Sequence, residues 1–334
     1  MEQIQLAGTG RMTTRLGFGC SNLMGAMNRK ESAALLDAAW DMGIRHFDVA
    51  PMYGWGAAES CVGEFLQRHA GYATITTKYG ILPPRNQSLV GFARRVARPV
   101  IQVLPAVKQK LARVAITTLS PTGAATFSAE EARVSLDRSR KALRTDCIDL
   151  WLLHDVAAAN LTDPHLLDFM RESVAAGIIG DFGASYDIAN IRNLYDQRRQ
   201  YCRVLQFEWS VLGKVPEFPD SFRIHYRSLA HNFSSLRAEL ERQPNLRRQW
   251  SDKLSFGLSL SENLATLMLR AAVVMNPESI ILVSSKSPAH IAANVRAVEE
   301  GAVDDLAREF YALVQRDLHR SRQEAATDVE PTSI

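Results

Sequence analysis

The 334-residue sequence predicts an α/β fold in which short buried strands alternate with helices to form a closed (β/α)8 TIM barrel. Eight short runs are apolar on both faces, as expected of parallel strands covered by helices. They lie at 16–20, 44–50, 73–78, 147–154, 178–185, 203–210, 222–226 and 279–285. A doubly wound open sheet is the competing architecture. Eight strands in one series favour the barrel, and the glycines of GFGCSNLMG have the wrong spacing for a Rossmann dinucleotide fingerprint.

Helical patterns separate most of these strands. Residues 28–42 place small and apolar side chains on one face, and Gly43 follows as a stop signal. Ser128 and Glu131 have the spacing of a capping box ahead of residues 132–143. Two further helical patterns lie at 165–176 and 289–298.

Three segments fall outside the strand–helix repeat. We expect one barrel domain over 1–318 that includes a long insertion at 82–127 after the third strand, extra helical material at 211–260, and a C-terminal helix followed by a polar tail at 319–334. The insertion contains no acidic residue and alternates basic with apolar side chains. It could be a surface excursion, a membrane-surface helix or a lid. Because the insertion follows the third strand, we expect it to lie on the catalytic rim. We therefore predict that it is a lid, with apolar walls and positive potential.

Composition excludes several classes of protein. With 39 basic and 36 acidic residues the net charge is only +3, which gives no reason to expect a nucleic-acid partner. We expect no secretory signal and no membrane span, and therefore a cytoplasmic protein. The four cysteines form no CxxC pair, so no metal site is expected.

Four ionisable side chains stand at or just beyond the carboxyl ends of three neighbouring predicted strands. They are Asp48, Tyr53, Lys78 and His154. In a barrel these strand ends share one rim, where reactive groups lie. An ammonium group next to a tyrosine favours its phenolate, and a carboxylate keeps a buried lysine charged. A histidine at the rim can orient a carbonyl oxygen. The set therefore predicts a tunable acid.

The segment GIRHFDVAPMYGWGAAES resembles the signature of the aldo-keto reductase family. The family's order continues through Lys78 in TITTKYG, His154 in DCIDLWLLHD, Gln206 in LQFEWSVL and Asn294 in SSKSPAHIAANVRAV. The resemblance covers about residues 12–80 and 127–300. It implies a (β/α)8 barrel oxidoreductase that transfers a hydride between NAD(P)H and the carbonyl of an aldehyde, ketone or sugar.

The resemblance also implies roles for individual residues. Tyr53 would be the general acid, Lys78 would lower its pKa, Asp48 would hold Lys78, and His154 would orient the carbonyl. Trp209 would stack on the nicotinamide ring. The other residues expected to hold cofactor are Ser185, Gln206, Ser210, Leu212, Gly213, Ser284, Ser285, Lys286, His290 and Asn294.

Departures from the family pattern leave alternatives open. Tyr186 replaces an asparagine that holds the carboxamide, and Ser284 and His290 replace the basic residues that face the 2′-phosphate. NADP(H) is favoured over NAD(H), with Lys286 as a substitute contact. After the seventh strand HYRSLAHNF replaces the usual motif, so Arg227 or His225 is expected near substrate or pyrophosphate.

Two other functions compete with carbonyl reduction. One is a cofactor-bound regulatory or partner-binding subunit with little turnover. The other is a barrel lyase that uses Lys78 as a Schiff base, which leaves Tyr53, Gln206 and Trp209 unexplained. The substrate, the physiological direction and the oligomeric state stay open.

Overall fold

The computed structural model describes residues 1–25, 27–69, 71–82 and 126–327, with side chains up to Leu318. Within these ranges eight parallel strands close into a barrel, which confirms the predicted fold. The barrel strands are β3 (Leu16–Gly19), β4 (His46–Asp48), β5 (Thr74–Tyr79), β6 (Ile148–His154), β7 (Ile179–Ser185), β8 (Val204–Glu208), β9 (Phe222–Tyr226) and β10 (Ser279–Val283). Neighbours in the chain are neighbours in the barrel, and β10 closes it by pairing with both β3 and β9. Each predicted run overlaps one of these strands, and β5 extends one residue beyond its predicted run, to Tyr79.

A hairpin precedes the barrel and was not predicted. Strands β1 (Gln3–Gln5) and β2 (Met12–Thr14) pair antiparallel. The hairpin lies at the amino ends of the barrel strands, where its loop residue Gly8 donates its N–H to Asp181 on β7. Arg15, directly after β2, donates to three backbone carbonyls, which are those of Val273, Asn276 and Ser279. These three-residue strands are too short to give a clear alternation in the sequence.

Ten α-helices in the described ranges surround or extend the barrel. They are α1 (Arg29–Asp41), α2 (Ala58–Arg68), α3 (Ala129–Leu143), α4 (Leu166–Ala175), α5 (Ile188–Arg198), α6 (His231–Arg242), α7 (Pro244–Leu254), α8 (Ser261–Met275), α9 (Pro288–Glu299) and α10 (Asp304–Thr327). Asn28 caps α1 in a reciprocal capping box with Glu31. Ser128 caps α3, but the side chain of Glu131 accepts the N–H of Thr126, so the predicted capping box is only half formed.

Two of the predicted irregular segments have defined structure. The material at 211–260 forms α6 and α7, whose buried Leu240 and Trp250 pack with α8 and α10 in a hydrophobic cluster outside the barrel. Helix α10 continues to Thr327, into the stretch predicted as a polar tail at 319–334. Except for residues 82, 126 and 127, the insertion at 82–127 lies outside the described residues. No helix within the described part of the chain is long and apolar enough to span a bilayer.

Candidate active site

A buried ion pair lies at the carboxyl ends of β4 and β5. The ammonium Nζ of Lys78 donates to Oδ1 of Asp48 at 2.6 Å and to the carbonyl oxygen of Val49 at 3.1 Å. The side-chain amide of Gln206 donates to the other carboxylate oxygen of Asp48 at 2.6 Å. Burial acts to lower the pKa of Lys78, but the charge and hydrogen bond of Asp48, together with the smaller effects of Tyr53 and Cys20, outweigh it, so the pKa lies above its ordinary value. Lys78 is therefore a fixed cation although it is almost wholly buried.

Tyr53 enters the site from the turn that follows β4. Its neighbour Gly54 has a left-handed φ of 57°, and a Cβ there would lie 2.5 Å from the Cβ of Met24, so the turn requires glycine. The Nζ of Lys78 lies 5.3 Å from the centroid of the Tyr53 ring. Burial raises the pKa of Tyr53 above its ordinary value, and the positive charge of Lys78 opposes that rise. The phenol is therefore protonated at neutral pH.

His154 is the last residue of β6 and faces Tyr53. The two rings are 6.4 Å apart and nearly perpendicular, at 86°. Burial and the neighbouring Lys78 charge lower the pKa of His154 to about 3. Its Nδ1 atom is buried and has no hydrogen-bond partner among the described residues. The imidazole is therefore neutral and has unused hydrogen-bonding capacity.

These groups open into one cavity of about 690 Å³ on the carboxyl-end face of the barrel. Asp48, Tyr53 and His154 line it, while Lys78 lies behind Asp48 within the wall. The lining reaches from β4 and β6 across to Ser284, after β10, and Asn294 on the second turn of α9. The structure thus brings the four predicted strand-end groups together at one cavity, large enough for an extended ligand.

Two more predicted residues form a polar pair in the cavity wall. The hydroxyl of Ser185 donates to the side-chain oxygen of Gln206 at 2.8 Å. Because Gln206 also donates to Asp48, the pair is rigidly connected to the buried ion pair. Both residues line the cavity, as do Ser284 and Asn294.

Other residues that the sequence assigned to cofactor do not line this cavity. The ring of Trp209 is buried 5.9 Å from Tyr311 and 6.2 Å from His225, and its Nε1 donates to the carbonyl oxygen of Lys214. The remaining ones outside the lining are Ser210, Leu212, Gly213, Ser285, Lys286 and His290. Of the two residues expected from HYRSLAHNF, Arg227 lines the cavity and His225 is buried outside the barrel interior, against Phe207.

Tyr226 lines the cavity but was not predicted from the sequence. It is the last residue of β9, and alternation places it on the same face as Phe222 and Ile224, which pack inside the barrel. That period-two pattern was the available signal. The segment 227–230 that follows also lines the cavity, with left-handed φ values of 57° at Arg227 and 51° at Ala230. No local pattern in the sequence predicts these two conformations, since neither residue is one that favours positive φ.

A closed parallel barrel with its ionisable groups gathered at the carboxyl ends of the strands is the arrangement of a barrel enzyme. The chain belongs to the aldo/keto reductase family of oxidoreductases, since the sequence model of that family matches residues 15–310. It is 30% identical over 231 residues to pyridoxal 4-dehydrogenase of Microbacterium luteolum, an alignment that covers 65% of each chain.

Other relatives share shorter segments or only the fold. D-threo-aldose 1-dehydrogenase of a Pseudomonas species is 33% identical over 162 residues, which cover 45% of this chain and 42% of that protein. The aligned part thus spans less than two thirds of either curated relative. An aldo-keto reductase from Klebsiella pneumoniae, solved in complex with NADPH, has 18% identity and a TM-score of 0.59, and the superposition covers 93% of this chain and 96% of that one. This likeness shows the shared barrel fold.

Proposed function

We propose that the protein transfers a hydride between NAD(P)H and the carbonyl carbon of a small aldehyde, ketone or sugar, with Tyr53 as the general acid. One observation carries the proposal: Tyr53 and a neutral His154 face each other across the cavity, with the Asp48–Lys78 ion pair directly behind. A carbonyl oxygen placed between the two rings would meet a proton donor and a hydrogen-bond donor together.

The cavity lining fits a nicotinamide dinucleotide. Ser185 and Gln206 present a hydroxyl and an amide beside the catalytic groups, suited to a carboxamide. Tyr226 offers an aromatic surface in the wall, the contribution that the sequence analysis assigned to Trp209. Ser228 also lines the cavity, and its buried hydroxyl has no partner among the described residues. Asn294 would contact the adenine end from α9.

The reduced nicotinamide, when bound, supplies the hydride that adds to the carbonyl carbon. Tyr53 gives its hydroxyl proton to the carbonyl oxygen, so the product is the alcohol. The ammonium of Lys78 stabilises the phenolate that remains on Tyr53, and Asp48 keeps Lys78 charged. His154 donates a hydrogen bond that fixes the carbonyl oxygen before transfer.

The raised pKa of Tyr53 is compatible with this role. A protonated phenol is the form a general acid needs, and burial maintains it at neutral pH. The proton leaves only when negative charge develops on the substrate oxygen, because an alkoxide is a much stronger base than a phenolate. Lys78 then lowers the energy of the phenolate at the moment it forms.

The names of the relatives support a small polar substrate. One acts on pyridoxal and the other on D-threo-aldoses, and both names describe oxidation. The same site can run in either direction, because the groups that protonate an alkoxide also deprotonate an alcohol. NADPH is the favoured coenzyme in the proposal. Lys286 and His290 flank the start of α9 and are the candidates for its 2′-phosphate.

The test is direct. The purified chain is titrated with NADPH and with NADH, following nicotinamide fluorescence, and is then mixed with a panel of aldehydes, ketones and sugars while coenzyme oxidation is recorded. We expect NADPH to bind more tightly and at least one carbonyl to be reduced. Coenzyme binding with no turnover on any carbonyl or alcohol would contradict the proposal and favour a regulatory subunit.

A further inference from the structure

Asp155 is a feature of the cavity that the proposed mechanism does not use. It follows His154 directly, has a left-handed φ of 53° and lines the cavity with an exposed side chain. Its N–H donates to the carbonyl oxygen of Ser185 at 2.7 Å, which fixes the backbone against the end of β7. A left-handed non-glycine residue costs free energy and persists where the surrounding structure holds it, often at functional sites.

The carboxylate of Asp155 has no basic neighbour to neutralise it among the described residues. No lysine, arginine or histidine nitrogen there lies within 4.0 Å of it. Arg227, the basic residue in the described lining, is held by Glu208 at 3.1 Å, and Lys78 is held by Asp48. The two nearby cations are therefore already paired with other carboxylates.

A second carboxylate adds to the negative charge on this side of the cavity. Asp187 also lines it and caps α5 by accepting the N–H groups of Ala189 and Asn190. Both carboxylates line the same cavity, and burial together with the charge of Asp187 raises the pKa of Asp155. Within the described lining, a carboxylate on the substrate would meet both charges beside His154.

We propose that Asp155 determines substrate class by accepting a hydrogen bond from a hydroxyl group of the substrate. The protein then acts on neutral hydroxy-aldehydes and hydroxy-ketones, including aldoses. Carbonyl compounds that carry a carboxylate are disfavoured. This inference rests on the proposed function and names the substrate class of the same site. A hydroxyl bonded to a carboxylate makes one of the stronger hydrogen bonds in proteins. Like charges a few ångströms apart at a protein surface disfavour each other by roughly tenfold.

The experiment compares three carbonyl substrates in the full chain. They are glyceraldehyde, which carries two hydroxyls, propanal, which has the same carbon skeleton without them, and succinic semialdehyde, which carries a carboxylate. Asp155→Asn removes the charge while keeping a residue type that tolerates positive φ. We expect the ratio of kcat/KM for glyceraldehyde over propanal to fall about tenfold, and the ratio for succinic semialdehyde over propanal to rise about tenfold.

Asp187→Asn is the matched comparison, because asparagine caps helices as well as aspartate does. It removes a charge near the cavity without removing the proposed acceptor. We expect it to raise the succinic semialdehyde ratio and to change the glyceraldehyde ratio by less than about threefold. An Asp155→Asn variant with both ratios within about twofold of wild type would overturn the inference, as would a wild type that prefers succinic semialdehyde to glyceraldehyde.

A binding measurement separates this inference from the proposed function. The affinities of glycerol and of 4-hydroxybutyrate, the reduced products, are measured by saturation-transfer NMR on NADP⁺-loaded protein. We expect wild type to favour glycerol and Asp155→Asn to lose that preference. No turnover on any of the three carbonyls would contradict the proposed function, while the binding preference would still decide whether Asp155 recognises hydroxyls. NADPH affinity, followed by fluorescence, checks that the variants are folded.

Discussion

The two ends of the barrel treat buried polar groups in opposite ways. At the amino-end base, each buried charge is matched by several partners. The carboxylate of Asp149 accepts from Arg11 and from the backbone N–H of Ile75, and that of Asp181 accepts from Arg203 and from the N–H of Gly8. These contacts join the hairpin and the strands into one hydrogen-bonded layer.

At the carboxyl-end rim, polar capacity is left over. Nδ1 of His154 and Oγ of Ser228 are buried without partners among the described residues, and the carboxylate of Asp155 has no basic neighbour there. The Asp48–Lys78 pair, by contrast, is held on both sides, by Gln206 and by the carbonyl oxygen of Val49. The matched charges at the base hold the fold, although Oδ1 of Asn276 there has no partner among the described residues, and unmatched groups at the rim can bind a ligand. Substitutions at the two ends should therefore have opposite consequences.

The largest effect is expected from Tyr53→Phe at the rim. Loss of a general acid should lower kcat by about 10²–10⁴-fold, while NADPH affinity changes little, since the ring stays in place. Single-turnover oxidation of NADPH and a fluorescence titration measure the two quantities. Tyr311→Phe is the control, because Tyr311 donates to the carbonyl of Gly213 and does not line the cavity. A Tyr53→Phe variant with near-normal kcat would refute the acid assignment.

The base is tested next, with Asp149→Asn. The asparagine side chain keeps one acceptor oxygen but loses the negative charge opposite Arg11. It can therefore accept from only one of the two partners of Asp149, which are Arg11 and the N–H of Ile75. The free energy of unfolding should fall by about 1–3 kcal/mol, and kcat should be unchanged. Urea denaturation measures the free energy of unfolding. Asp146→Asn, whose side chain is fully exposed, is the matched control and should be neutral. Equal stability of Asp149→Asn and wild type would show that the base is not what holds the fold.

Acid should weaken the fold through buried histidines at both ends. Burial lowers the pKa values of His46, His154 and His225 to about 3. The folded protein keeps them neutral, while the unfolded chain binds protons below about pH 6.5, so this stability is complete above that pH and is lost as pH falls toward 3. Each histidine contributes a slope of up to about 1.4 kcal/mol per pH unit.

His225→Phe isolates one of these contributions, because both nitrogens of His225 are buried without partners in the described structure and its ring packs on Phe207. Between pH 6.5 and 4, we expect the slope of unfolding free energy against pH to decrease by the contribution of one histidine. Denaturant unfolding at several pH values measures this slope. His165→Phe, at an exposed position, should leave the slope as it is. The same slope in both variants would argue against a neutral buried His225.

The smallest effect is the sharpest test of the contrast. Ser228→Ala at the rim removes a hydroxyl without a described partner and should raise stability by up to about 1 kcal/mol while weakening NADPH binding by about 3–10-fold. Ser279→Ala at the base removes a hydroxyl that donates to the carbonyl of Asn276 and should lower stability by about 1 kcal/mol. Changes of the same sign in thermal unfolding would break the comparison.

Much of this architecture could be predicted from the sequence. Strands buried on both faces are continuous apolar runs, so all eight barrel strands were predicted, with bounds that differ by a few residues at most. Ionisable side chains at strand ends gave Asp48, Tyr53, Lys78 and His154, because parallel strands bring those ends to one rim. Trp209 is the counterexample. It follows β8 directly, yet its ring lies outside the cavity, against Tyr311 of α10, a contact between residues 102 positions apart.

The sequence by itself determined which residues form the eight barrel strands, and therefore which side chains stand at the rim. Hydrophobic periodicity and strand direction are local properties, and a parallel barrel follows from them. The tertiary structure decided how polar groups are matched. Gln206 donates to Asp48, the hairpin fixes Asp181, and the carboxylate of Asp155 has no basic neighbour and the hydroxyl of Ser228 no partner within the described chain. Hydrogen bonding depends on distances of a few tenths of an ångström between residues far apart in the chain, which no local pattern specifies.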